Sequence, residues 1–191
     1  MPDHKLLLAL WIGFVAVWLC RPAEADPSSP LPAVIVKTRT ADMVVQPDGG
    51  YTTIFHEEKL ATNDGAAHNI AQRPIDYTEG MEAVEILDAF TRKADGKVVA
   101  VDLTRLVARS PPALSGVMRF ADHKQKVIVF PEVTAGDTAV FTISRTGKMA
   151  FAGQFFAADV FQRGLAVAEV RESITIPRAM GVHVEAQGVD H

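Results

Sequence analysis

Residues 34–60 read VIVKTRTADMVVQPDGGYTTIFHEEKL, and this stretch decides the fold. Two runs rich in β-branched and aromatic residues, Val34 to Val45 and Tyr51 to Leu60, flank Pro47-Asp48-Gly49-Gly50. Proline presets the backbone for a turn, and glycine reaches positive φ without a steric penalty. The pattern predicts an antiparallel hairpin.

The same punctuation recurs outward from this hairpin. Asn63-Asp64-Gly65 is a second turn signal, and Ala94-Asp95-Gly96-Lys97 is a third, leading into Val98 to Val101. A fourth, Ala135-Gly136-Asp137, separates Lys126 to Phe130 from Thr138 to Arg145. In that last run Phe141 and Ile143 alternate with Thr142 and Ser144, which predicts one dry face and one wet face. Val170 to Ile176 follows the same logic, with Ile174 and Ile176 set against Arg171, Ser173 and Thr175, and Pro177 ends it. Met81 to Phe90 places Ala83, Leu87 and Phe90 near helical spacing, but Asp95-Gly96 and the strand beyond it make this run a hairpin arm. Gln72 to Gly80 and Ser110 to Gly116 read as loops, with room for a short helix between Ala66 and Ala71 or between Leu103 and Ala108. Short strands with regular turns predict a mostly β chain, an antiparallel β-sandwich with few short helices.

The first 25 residues are a separate object. Lys5 precedes an unbroken apolar run from Leu6 to Leu19, and Ala23-Glu24-Ala25 gives an A-x-A pattern before Asp26. That is the anatomy of a secretory signal peptide. Fourteen residues of helix rise about 21 Å, short of the ~30 Å hydrocarbon core, so a permanent anchor is not expected. The expected organisation is a signal peptide over 1–25, an extended leader and first strand over 26–39, and a β-sandwich domain over 40–191. Export places the processed chain in the periplasm or outside the cell, with no membrane attachment once the signal is cut. Three prolines and two serines in residues 26–33 suit an extended leader.

Composition narrows the function classes. The net charge of −4 comes without a basic stripe, which argues against nucleic acid as a partner. The one cysteine, Cys20, lies in the segment expected to be removed, leaving neither a thiol nucleophile nor a disulfide. His56, His68, His123, His183 and His191 show no i, i+2 or i, i+4 pairing, and no G-x-S-x-G turn is present. His56-Glu57-Glu58 starts like a helical zinc motif, but Leu60 stands where its second histidine belongs. No catalytic residue, metal ligand or cofactor is therefore assigned. Two groupings keep a His/carboxylate hydrolase open as the alternative: His68 with Asp64 and Asp76, and His56 with Glu58.

The richest local sequence is Gly153 to Gln162, GQFFAADVFQ. Gln154, Phe155, Phe156, Asp159 and Phe161 are the candidate binding residues, an aromatic platform for a peptide, a glycan or a partner domain. The competing interpretation makes Phe155 and Phe161 core plugs and Asp159 a turn cap.

Taken in order, several segments resemble the domain of unknown function 3857, which precedes transglutaminase-like domains in many exported bacterial proteins. They are the Asp48-Gly49 hairpin, the Thr62-Asn63-Asp64-Gly65 turn and Asp95-Gly96-Lys97-Val98-Val99. Phe130-Pro131-Glu132-Val133 with Gly136-Asp137, Gly153-Gln154-Phe155-Phe156 and the strand ending Ile174-Thr175-Ile176-Pro177 follow. The resemblance runs from about Thr40 to Val184. It implies a sandwich of immunoglobulin-like build and a non-catalytic accessory role, with a transglutaminase-like protein or domain as the expected partner. It carries over no catalytic residue. The Cys, His and Asp of such a partner would follow His191, lie on another chain, or be absent.

Overall fold

A computed structural model describes residues 32–111, 122–149, 151, 154–159, 165–181 and 183–185. The described chain is mostly β. The hairpin falls where the sequence put it: β1 (Val34–Val45) and β2 (Tyr51–Ala61) pair antiparallel, with Val45 opposite Tyr51 across the turn. Gly49 takes φ +87° there. Asn63 then caps α1 (Asp64–Ile70), its side chain accepting from Ala66 N at 2.9 Å.

Next come β3 (Gln72–Thr78), β4 (Glu82–Arg92) and β5 (Val98–Ala100), then a 3-10 turn at Leu103–Arg105. They are followed by β6 (His123–Val129), β7 (Thr138–Gly147), β8 (Ala166–Val167) and β9 (Val170–Thr175). The large sheet runs in the order β5-β4-β7-β2-β1-β8, with β9 also on β1, and β3 and β6 form a second sheet. The sandwich is therefore unequal, seven strands against two among the described residues. The named strands among the described residues pair antiparallel except at one margin, where β8 and β9 run parallel to β1.

The core lies between the layers. Ala61, Val84, Ala89, Ala139, Phe141 and Ile143 of the large sheet meet Ala66, Ala67 and Ile70 of α1 and Ile75, Ile128 and Phe130 of the second layer. Phe141 packs against Phe55 and Phe130, with ring centroids 5.8 and 6.5 Å away. On β7 the predicted alternation holds: Phe141 and Ile143 are buried, Thr142 and Ser144 half-buried.

Two local expectations are corrected, over Gln72 to Gly80 and at Ile174. Gln72 to Gly80 is mostly strand, because Ile75 is buried while Pro74 and Asp76 face out, and a strand with one free edge tolerates proline. The Ala135-Gly136-Asp137 turn joins strands of different sheets, β6 and β7. Ile174 does not face the core; it is 50% exposed on the marginal strand β9. The 3-10 turn occupies part of the Leu103 to Ala108 site proposed for a short helix, and α1 covers most of the other. β1 runs unbroken across residue 40, so the segment beginning at Val34 is integral to the sheet. Residues 112–116 of the Ser110 to Gly116 loop, and the expected signal peptide, lie outside the described residues.

Asp137 fixes the turn that changes sheets. It is 1% exposed and accepts from Thr134 N at 2.7 Å, Thr134 Oγ1 at 2.8 Å, Ala94 N at 3.0 Å and Lys93 Nζ at 2.5 Å. Burial pushes its pKa up, but the Lys93 hydrogen bond and the Thr134 and Ala94 donors outweigh it, and the carboxyl titrates below its ordinary range. One carboxylate thereby ties the β6–β7 turn to the β4–β5 hairpin.

Candidate functional site

The inner face of the large sheet extends beyond the core as a groove of about 740 Å³. Met43, Thr53, Phe55 and Ile143 form its floor. Arg73 to Asp76 of β3 stand on one side, Phe155 to Asp159 on another, and Glu172 to Ile174 of β9 close the margin. A volume of this size lies within the range of small-ligand sites.

The segment singled out in the sequence supplies one wall. Phe155 sets its ring edge-on to Tyr51, centroids 6.3 Å apart at 68°. That ring position depends on Gly147, since a β-carbon there would fall 2.3 Å from the Tyr51 ring. Phe156 is 78% exposed, so it fills no core. Gln154 lies against the β1–β2 turn, its carbonyl facing Gly49. Asp159 ion-pairs with Arg39 of β1. Phe161 lies outside the described residues. Phe155 takes an intermediate place between platform and core plug, half-buried at the groove wall.

Two polar clusters anchor the groove. At one end Arg39 lies 5.5 Å over the Phe55 ring and contacts both Asp159 and, at 3.8 Å, Glu172. Burial, then the hydrogen bond and negative charge of Asp159, push the Glu172 carboxyl up to about 7, against the pull of Arg39. At the other end Arg145 donates to Glu82 Oε1 and to the Asp76 carbonyl, both at 2.9 Å, and Tyr51 donates to Glu82 at 3.0 Å. Burial, then the Glu82 charge and hydrogen bond, raise the Tyr51 pKa. The Thr53 hydroxyl, on a residue only 7% exposed, has no hydrogen-bond partner among the described residues. A smaller cavity of about 360 Å³ adjoins the groove at Arg73, whose guanidinium lies over Phe141 and 3.7 Å from the buried Glu57.

The histidine groupings fare differently. Asp64 and His68 are exposed on α1, and Asp76 accepts from Gln125 at 2.8 Å on β3, so these three do not form a site. His56 and Glu58 do approach, at 3.6 Å, on the outer face of the large sheet, with His56 Nδ1 3.0 Å from Thr142 Oγ1. Glu58, however, is gripped by both terminal nitrogens of Arg92 at 2.9 and 3.1 Å. Those bonds hold its pKa below the ordinary carboxylate value, which makes it a poor base. Among the described residues no three His, Cys, Asp or Glu side chains gather to hold a metal.

Residues 47–190 match the family described as a Domain of Unknown Function with solved structure, DUF3857. The chain belongs to that family. No curated protein matches the chain. Among solved structures, this DUF3857 domain is similar to a candidate protease from Parabacteroides distasonis, with TM-score 0.65 and 20% identity. The match covers 76% of this chain and 29% of that one. A likeness at that identity concerns the fold, and the chain spans less than a third of the protein it resembles. An M1 zinc metallopeptidase from Deinococcus radiodurans aligns over 61% of this chain and 21% of that chain, with TM-score 0.34 and 13% identity.

Sequence reasoning on the DUF3857 domain reached Phe155, Phe156 and Asp159 because three phenylalanines cluster locally. It missed Arg39, Glu172, Tyr51 and Thr53. Arg39 and Asp159 are 120 positions apart, and no local pattern marks either as the other's partner.

Proposed function

We propose that this chain is an exported, non-catalytic binding module that takes an apolar peptide segment of a protein partner in the inner-face groove, working beside a transglutaminase-like protein. One observation carries the reading: the aromatic segment forms a groove wall with Phe156 left 78% exposed. Exposed aromatic side chains at the mouth of a cavity are the groups that most often carry binding energy.

Lining chemistry supports an apolar, uncharged ligand. Arg39 is paired with Asp159 and Arg145 with Glu82, so the lining charges are largely compensated within the protein. Rings, thioethers and aliphatic carbons remain, at Phe55, Phe155, Phe156, Met43, Met149, Ile75 and Ile143. A buried hydroxyl without a partner costs about 1–3 kcal/mol, and a ligand amide reaching Thr53 would offset that cost. Export rests on the N-terminal sequence, and the accessory role on what accompanies this family.

The rival His/carboxylate hydrolase is less well supported. His56 lines neither cavity, and Glu58 is committed to Arg92.

Calorimetric titration with an acetylated, amidated Phe-Leu-Phe peptide tests the proposal. Saturable binding tighter than about 1 mM, some 4 kcal/mol, is expected. Phe156→Ala should weaken it at least about tenfold, as loss of a central aromatic contact does. Unchanged affinity in that variant would refute the proposal.

A further inference from the structure

We infer that the cavity of about 360 Å³ beside the groove is a second binding site, which takes an N-acylated α-amino acid with a free carboxylate and an apolar side chain. The inference does not depend on what the groove itself binds.

Strand β2 carries charge where its inner face meets the core. Glu57 and Lys59 are two positions apart on it, so both side chains project to that face. Opposite them on β7 stand Phe141 and Ala139, both buried. Arg73 reaches the same cavity from β3, and Ile70 of α1 and Phe130 add apolar wall. Glu57 is only 4% exposed. A carboxylate buried this deeply is costly unless charge and hydrogen bonds compensate it.

The compensation here is incomplete in a specific way. Lys59 Nζ lies 2.9 Å and Arg73 Nη2 3.7 Å from Glu57 Oε1, so the charge is answered. Neither approach has hydrogen-bond geometry, and among the described residues both Glu57 Oε1 and Arg73 Nε are buried without a hydrogen-bond partner. A free acceptor and a free donor side by side on one cavity wall match a ligand that carries one of each. The charge count decides their kind. Among the described residues the charged lining groups are Glu57, Lys59 and Arg73, a net charge of +1. A carboxylate neutralises that excess and suits the planar N–H fork of Arg73. An amide N–H satisfies Glu57 without the extra positive charge that a free ammonium brings. An N-acyl amino acid holds its N–H and its carboxylate on one carbon, as close together as Glu57 and Arg73 stand. Its side chain then meets Ile70, Phe130 and Phe141, and its acyl group leaves past the exposed Asn69 and Gln72.

Ile70 reports this cavity and Ile143 reports the groove. The full chain carrying ¹³C-methyl isoleucine is titrated with N-acetylleucine at neutral pH and followed by NMR. A saturable Ile70 shift with Kd of about 1–10 mM is expected for so small a ligand, with Ile143 unmoved. N-acetylleucinamide keeps the shape and loses the charge, and should bind the same wild-type chain at least about tenfold more weakly. N-acetyl-N-methylleucine lacks the N–H for Glu57 and should also lose about tenfold. Folded Lys59→Met should weaken the acid about tenfold and the amide little. Acetyl-Ala-Ala-Leu with a free C-terminus distinguishes the two sources of this chemistry: binding tighter than N-acetylleucine assigns the site to peptide ends, and weaker binding assigns it to free acyl amino acids. Equal affinity for acid and amide, no saturation at Ile70, or shifts at Ile143 with Ile70 unmoved would overturn the inference. The groove's own peptide titration is read at other methyl groups and is judged separately.

Discussion

Gly49 and Gln154 approach so closely that a β-carbon on residue 49 would lie 2.3 Å from the Gln154 carbonyl oxygen. The hairpin turn that starts the fold is therefore also the seat of the groove wall. Gly49→Ala should cost more than the roughly 1–2 kcal/mol of a left-handed alanine, because the wall must move as well. Gly96→Ala is the control: φ is +88° there, but nothing lies within 4 Å of a new β-carbon. Denaturant midpoints of both variants measure the difference, which is expected to be larger for Gly49.

The core assignment predicts an asymmetry along β7. Phe141→Ala empties a site shared with Phe55 and Phe130 and should destabilise by about 3–5 kcal/mol. Thr142→Ala removes a half-buried hydroxyl bonded to His56 and should cost about 1 kcal/mol or less. Equilibrium unfolding in urea distinguishes the two.

Asp137→Ala would leave the Lys93 ammonium without its carboxylate and orphan the Thr134 and Ala94 donors. A loss of about 3–5 kcal/mol is expected, as for breaking a buried ion pair. The folded pKa of Asp137 is depressed, so its contribution is complete above the unfolded value of 3.8 and disappears as pH falls through the folded one. Stability measured from pH 6 down to pH 2 should decline more in the wild-type chain than in Asp137→Asn.

These features differ in how far the sequence discloses them. The β1–β2 hairpin is legible almost to the residue, because Pro47-Asp48-Gly49-Gly50 specifies the turn chemically. Strand β3 is not, since Pro74 and the polar residues around it imitate a loop, and only pairing with β6 and burial of Ile75 against the large sheet make it a strand. Alternation on β9 reads as a half-buried strand, yet its place at the margin beyond β1 leaves Ile174 exposed; strand order is a long-range property with no local signature. The aromatic cluster flags Phe155 and Phe156, but the groove also needs Arg39, Thr53 and Glu172, which only pairing across the sheet brings near.

Thiol chemistry offers a further check. Transglutaminase and cysteine-protease reactions require a thiolate, and residues 26–191 contain no cysteine. No amine incorporation into glutamine substrates and no thiol-dependent proteolysis is expected from those residues, as a fluorescent-amine transfer assay would show.

The claim that the inner-face groove is the binding surface is tested most directly by methyl NMR of the full chain during titration with the acetylated, amidated Phe-Leu-Phe peptide. Met43 and Met149 line the groove and Met81 does not. Saturable shifts confined to Met43 and Met149, and diminished in Phe156→Ala, are the predicted result. Binding that shifts Met81 while leaving Met43 and Met149 in place would contradict the account.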